Sequence, residues 1–120
     1  MPPELTLPFL CLFNLIQAIL IANPHSEHKD MVSLLKQRMD GYITSTQFVM
    51  ILYNVSNDLL EAAVQITPGK RSPTITSLDD GQYKSVSSLV KKNEISDKMD
   101  ALHAVGATDI LVMELANSRM

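Results

Sequence analysis

The chain has 120 residues, 46% hydrophobic and 19% charged, with ten Lys and Arg against thirteen Asp and Glu for a formal net charge of −3. This suits one domain of usual size, or a small domain with an appendage, and it excludes both a disordered chain and a two-domain enzyme with an interdomain cleft. The cations are scattered apart from Lys70-Arg71 and Lys91-Lys92, so nucleic acid is a poor partner, and the single cysteine, Cys11, excludes an intrachain disulfide and fits a reducing, cytoplasmic compartment.

Residues 7–22, LPFLCLFNLIQAILIA, are the most apolar stretch. As a helix they would reach roughly 24 Å against a hydrocarbon core of about 30 Å, and Asn14 and Gln17 interrupt them, so no membrane span is expected. The preceding residues carry Glu4 and no Lys or Arg, which speaks against a signal peptide. The expectation is a buried segment whose second half, Ala18 to Ala22, is a strand ending at Asn23-Pro24.

Ser26 is placed to cap a helix through its side-chain oxygen, with Glu27 at the positive end. Met31, Leu34, Leu35, Arg38 and Met39 recur at three and four, predicting a one-sided helix that stops before Gly41. Residues 44–54, TSTQFVMILYN, carry apolar groups on both parities. They predict a central strand covered on both faces, or covered on one face and packed in an oligomer on the other.

A second helix starts at Ser56 or Asn57, sets Leu59, Leu60, Ala63 and Val64 on one face, and ends at Thr67-Pro68-Gly69. Residues 73–78 predict a short strand, Asp79-Asp80-Gly81 a hairpin turn, and Tyr83 to Val90 the returning strand. Asn93 is the expected cap of a third helix with Ile95, Met99, Leu102 and Val105 on one face, stopping at Gly106. Ile110 to Leu115 supply the last strand.

From residue 44 onward the order is βαββαβ, which predicts an α+β, ferredoxin-like layer of four antiparallel strands with both helices on one face. The other face is then open unless another chain covers it. The two-sided apolarity of residues 44–54 predicts that it packs in an oligomer.

Among chemical motifs, no GxGxxG, Walker A, HExxH, GxSxG or paired-cysteine signature occurs in the sequence. His25 and His28, three apart, have only Glu27 and Asp30 for company and read as a solvated helix start rather than a metal site. His103, Asp97 and Asp100 read as polar helix surface, and Asp79 and Asp80 as turn chemistry. Gly69-Lys70-Arg71-Ser72 is the segment of most interest, since flexible backbone, two cations and a hydroxyl can surround an anion. No strand leads into a glycine loop that opens a helix, so phosphate is weakly supported. A small carboxylate is at least as plausible.

Ile43 to Asn54, the helix DLLEAAVQ and above all Ile66-Thr67-Pro68-Gly69-Lys70-Arg71-Ser72-Pro73-Thr74-Ile75 are similar to the carboxy-terminal part of long-form ATP phosphoribosyltransferase, an enzyme of histidine biosynthesis. The similarity continues through SSLVKKNEISDKMDALHAVGATDILV and upstream through AILIANP and GYIT, covering about residues 14 to 119.

The resemblance implies that residues 44–120 are a ferredoxin-like regulatory domain binding L-histidine where subunits of a hexamer meet, and that residues 1–43 are the apolar segment plus a strand-helix remnant of the catalytic part. Carried over position by position, Asn54 meets the ligand's amino or imidazole group. The backbone at Gly69 and Lys70 and the hydroxyl of Thr74 frame the ligand, with Ser72 nearby, and Asp109 contributes mainly backbone. Some family members carry an acid at the Asn54 position, and neutral Asn54 forfeits that charge-assisted bond.

The resemblance further implies that catalysis, transfer of a phosphoribosyl group from phosphoribosyl pyrophosphate to ATP with Mg2+, belongs to parts of the family enzyme absent from these 120 residues. No catalytic residue, cofactor or metal ligand is therefore assigned to this chain. Its expected partners are L-histidine and either further copies or the catalytic portion of the transferase. Three functions follow: the histidine-sensing portion of the transferase, an interaction subunit for a separate catalytic chain, or a domain of this fold that has lost its ligand. Residues 1–13 match nothing expected of the family.

Overall fold

The computed structural model describes residues 18–120. Cys11, residues 1–13 and most of the apolar stretch 7–22 lie outside the described residues. Residues 18–23 have no regular secondary structure, so the strand expected over Ala18–Ala22 does not form. An extended segment becomes a strand only by backbone pairing, and the sheet consists of four other strands.

Ser26 Oγ accepts from the backbone N–H of His28 at 3.1 Å, just ahead of helix α1, Lys29–Ser45. This helix does not stop before Gly41 but runs through it for another turn. Gly41 is buried against the C-terminal tail, where Ser118 N–H donates to its carbonyl at 3.0 Å. A Cβ there would collide with Asn117, Ser118 and Arg119. The glycine therefore marks a close approach of two backbone segments rather than a left-handed helix end. The stripe of Leu34, Leu35 and Met39 stays close to half exposed.

Strand β1 covers Phe48–Ser56, starting four residues later than the sequence indicates because α1 takes Thr44 and Ser45. A 3-10 turn, Asn57–Leu59, leads into α2, Leu60–Ile66. Strand β2, Thr74–Ser77, and strand β3, Tyr83–Lys91, form the expected hairpin. In its turn Gly81 has φ of 72°, and Asp80 Oδ1 accepts from the N–H groups of Gln82 and Tyr83 at 2.9 and 3.2 Å, which is the short-acceptor role that selects Asp in turns.

A second 3-10 turn, Lys92–Glu94, leads into α3, Ile95–Val105. Asn93 lies inside that turn and makes no side-chain cap. Gly106, at φ of 105°, ends α3 while the N–H of Ala107 donates to Leu102 O at 3.0 Å. Only a residue without Cβ adopts this conformation at no steric cost. Strand β4 is Thr108–Glu114.

The sheet order is β2-β3-β1-β4, antiparallel throughout. This is the ferredoxin-like arrangement expected of two interleaved βαβ halves. Strict alternation places Val49, Ile51, Tyr53 and Val55 of β1 with Val86, Ser88 and Val90 of β3 on the helix-covered face. There they form the core with Ala63, Leu102 and Ala107, and Leu59, Leu60, Ile66, Ile95, Met99 and Ile110 pack around it.

The opposite parity makes the open face. Register puts Met50 beside Leu89 and Met113, and Leu52 beside Ser87 and Leu111. Leu111 is 60% exposed and Met113 51%. Towards the β2 edge the same face turns polar, with Thr74 and Thr76 opposite Ser87 and Ser85.

Candidate functional site

The loop between α2 and β2, residues 67–73, is tied to the helix-covered face by two buried hydroxyls. Tyr53 from β1 reaches Thr67, with Oη and Oγ1 2.8 Å apart, and Ser88 Oγ from β3 donates to Thr67 O at 2.9 Å. Tyr53, Thr67 and Ser88 are all buried, so these bonds replace water that cannot reach the groups. Gly69 follows with φ of 70°, and a Cβ on it would lie 2.8 Å from Ser88 Oγ. Two constraints, the left-handed backbone and the neighbouring Ser88, thus require glycine at this point of the loop.

Burial pushes the Tyr53 phenol above its usual range, and the bond to Thr67 offsets this in part. A folded pKa raised above the unfolded value of about 10 gives stability that is complete below pH ~10 and is lost as pH rises through the folded value. Tyr53→Phe leaves Thr67 Oγ1 without this partner. It is expected to cost about 1–2 kcal/mol near pH 7 and to flatten the decline of the thermal midpoint as pH rises above about 10. An equal decline of the midpoint in the unaltered and Tyr53→Phe chains across that range would contradict this.

Beyond Thr67 the loop borders a cavity of about 300 Å³ lined by Gly69 and Lys70 with Phe48, Leu89, Lys91, Glu94 and Lys98 among others. Ser72 is exposed in the loop. Thr74 opens β2 opposite Ser87 on the open face.

Asn54 and Asp109 form a second group at the other side of the sheet. Asn54 stands near the end of β1, opposite Ser85 on β3 and Thr108 on β4. Its Nδ2 donates to Asp109 Oδ2 at 3.2 Å. Asp109 also borders a shallow cavity of about 480 Å³ with Met99, Asp100 and His103 of α3.

The structure therefore brings Asn54 and Asp109 into contact, and Gly69 and Lys70 onto one cavity, but it does not gather all six positions into one pocket. Thr74 and Asn54 share the open face two strands and two residues apart, about 12 Å between backbones from strand spacing and rise. Ser85 and Ser87 lie between them. Sequence reasoning does not single out Tyr53, Thr67 and Ser88 as a unit. Their signal is a hydroxyl at a core-facing parity position in each of two strands, which demands a buried partner.

Residues 45–117 match the family model described as HisG, C-terminal domain. The chain belongs to this family. It is 38% identical over 103 residues to an ATP phosphoribosyltransferase of Yarrowia lipolytica, an alignment covering 86% of this chain and 35% of that protein. The corresponding values for the ATP phosphoribosyltransferase of Schizosaccharomyces pombe are 43% over 98 residues, 82% and 32%. For that of Bifidobacterium longum they are 38% over 105 residues, 87% and 37%. The chain spans about a third of the length of the curated relatives it matches.

The HisG C-terminal match contains both 3-10 turns, the loop anchored on Thr67 and the bulged start of β4. Among the described residues no helix is long and apolar enough to cross a membrane, and no group of three or more His, Cys, Asp or Glu is arranged to hold a metal ion.

Proposed function

We propose that residues 44–120 are the L-histidine-sensing domain of a cytoplasmic ATP phosphoribosyltransferase, and that residues 1–43 are an apolar N-terminal segment followed by a remnant of the catalytic part. Phosphoribosyl transfer from phosphoribosyl pyrophosphate to ATP, with its Mg2+, belongs to other domains of that assembly. The domain reports the level of the end product of histidine biosynthesis. Asn54, Gly69, Lys70, Ser72, Thr74 and Asp109 are the residues assigned to the ligand.

The observation that carries this reading is the anchored loop at residues 67–73 in a member of the HisG C-terminal family, leading directly onto a sheet face left uncovered by the described residues. Thr74 supplies a hydroxyl at the point where the loop joins that face. The row Thr76, Ser85, Asn54 and Thr108 crosses all four strands and offers donors and acceptors to a small polar ligand. The apolar side chains Met50, Leu52, Leu111 and Met113 beside this row are suited to contact with a second sheet face. A ligand lying between two such faces loses water on both sides, which strengthens every hydrogen bond it makes.

Isothermal titration of L-histidine into the purified chain tests the reading. Saturable heat is expected, and Thr74→Ala is expected to weaken binding by about 1–3 kcal/mol through loss of a buried ligand hydrogen bond. A flat titration of folded, unaltered chain at millimolar L-histidine overturns it.

A further inference from the structure

The start of β4 carries an irregularity that the histidine-sensing reading does not by itself explain. Leu52 pairs with Leu111 and Asn54 with Thr108, so Tyr53 alone on β1 faces both Asp109 and Ile110 on β4. This is a β-bulge. Ile110 packs against the core on the helix-covered side, which makes Asp109 the surplus residue. Its φ is 52°, a conformation that Asp and Asn tolerate better than other L-residues. Bulges re-aim side chains near binding sites, and here the surplus side chain turns to Asn54 on the open face, Nδ2 to Oδ2 3.2 Å.

A carboxylate only accepts, so the Asn54 amide must present its N–H₂ to Asp109 and keep its Oδ1 available. The pair then offers Asp109 Oδ1 and Asn54 Oδ1 as acceptors beside a negative charge. An aliphatic ammonium, with three donors and a charge retained throughout the physiological pH range, matches this set better than an imidazole that is mostly neutral at pH 7.

We propose that the Asp109 carboxylate, held by Asn54, binds the α-ammonium group of the amino-acid ligand, so that the site reads the ligand's positive charge from the bulge of β4. This rests on the histidine-sensing reading and assigns the charge recognition within it. Asp109 is then a side-chain ligand rather than a backbone contributor. Neutral Asn54 orients the carboxylate and adds a second acceptor, and the missing charge at its own position is supplied by its partner across the strand pair.

The experiment is a titration cycle with L-histidine and imidazolepropionate, which is the same molecule without the amino group. Asn suits the left-handed backbone at this position as well as Asp does, so Asp109→Asn keeps the bulge while removing the charge. Loss of a charge-assisted bond is expected to weaken L-histidine binding at least about tenfold. The same substitution leaves imidazolepropionate binding unchanged, and the cost of deleting the amino group, large in the unaltered chain, nearly vanishes in Asp109→Asn. The exchanged pair, Asn54→Asp with Asp109→Asn, moves the charge across the strand pair and restores L-histidine binding to within a few-fold.

If the unaltered chain and Asp109→Asn bind L-histidine equally, the proposal is overturned while histidine sensing stands. Equal weakening of both ligands assigns Asp109 a structural role and also overturns it. An unaltered chain that binds neither ligand removes the histidine reading, and the assignment to Asp109 with it.

Discussion

Leu102→Ala is expected to remove about 2–5 kcal/mol from the stability of the domain. Leu102 is fully buried in the last turn of α3, in the cluster where both helices meet β1 and β3. Truncation loses the transfer free energy of the side chain and leaves a void that close-packed neighbours fill only in part. The compact unit Leu34–Met120 is of a size whose total stability is roughly 4–13 kcal/mol at 0.05–0.15 kcal/mol per residue. The substitution therefore takes a large share of it. In urea titration the midpoint should fall by more than about 1 M at an m-value near 1–2 kcal/mol/M. A shift corresponding to less than ~0.5 kcal/mol would show that the α3 stripe is not the core.

Leu111→Lys is expected to abolish the proposed face-to-face association while leaving the fold intact. Leu111 lies on edge strand β4, 60% exposed, beside Leu52 on the open face. In a single copy a lysine there keeps its ammonium in water and costs little. In the proposed face-to-face contact the same charge is desolvated without a partner, a cost of roughly 3 kcal/mol or more, or at least about a hundredfold in association. Sedimentation of the unaltered chain should show species larger than a monomer that dissociate on dilution, and the lysine variant should sediment as a monomer. A concentration-independent monomer for the unaltered chain would refute the oligomeric role of this face.

The domain's local features were legible from residue order. The β-branched and aromatic runs read as strands over residues 44–54 and 83–90, the turn at Asp79-Asp80-Gly81, the α3 stripe of Ile95, Met99 and Leu102, and the stop at Gly106 each depend on residues within about one turn or one strand of one another. The βαββαβ order then leaves few ways to bury one face of each strand, and the sheet order β2-β3-β1-β4 is among them. The motif ITPGKRSPT, which carries the loop and ends at Thr74, was equally visible.

Element ends and the detailed chemistry of the site were not. The helix stop expected before Gly41 failed because a glycine serves either a left-handed turn or a close contact, and only the tail at Asn117–Arg119, more than seventy residues away, decides which. The strand over Ala18–Ala22 failed because pairing needs a neighbour that periodicity does not name.

The anchoring of Thr67 by Tyr53 and Ser88 follows from the packing of three separate elements. The contact of Asp109 with Asn54 comes from one surplus residue in the register of β4 against β1. Residue order by itself determined the βαββαβ elements that follow residue 44 and their order, because periodicity and turn preferences act locally, and the family resemblance was carried by the ITPGKRSPT motif. Which side chains meet was decided only by the tertiary structure, because strand register and close backbone approach are set between segments distant in the chain.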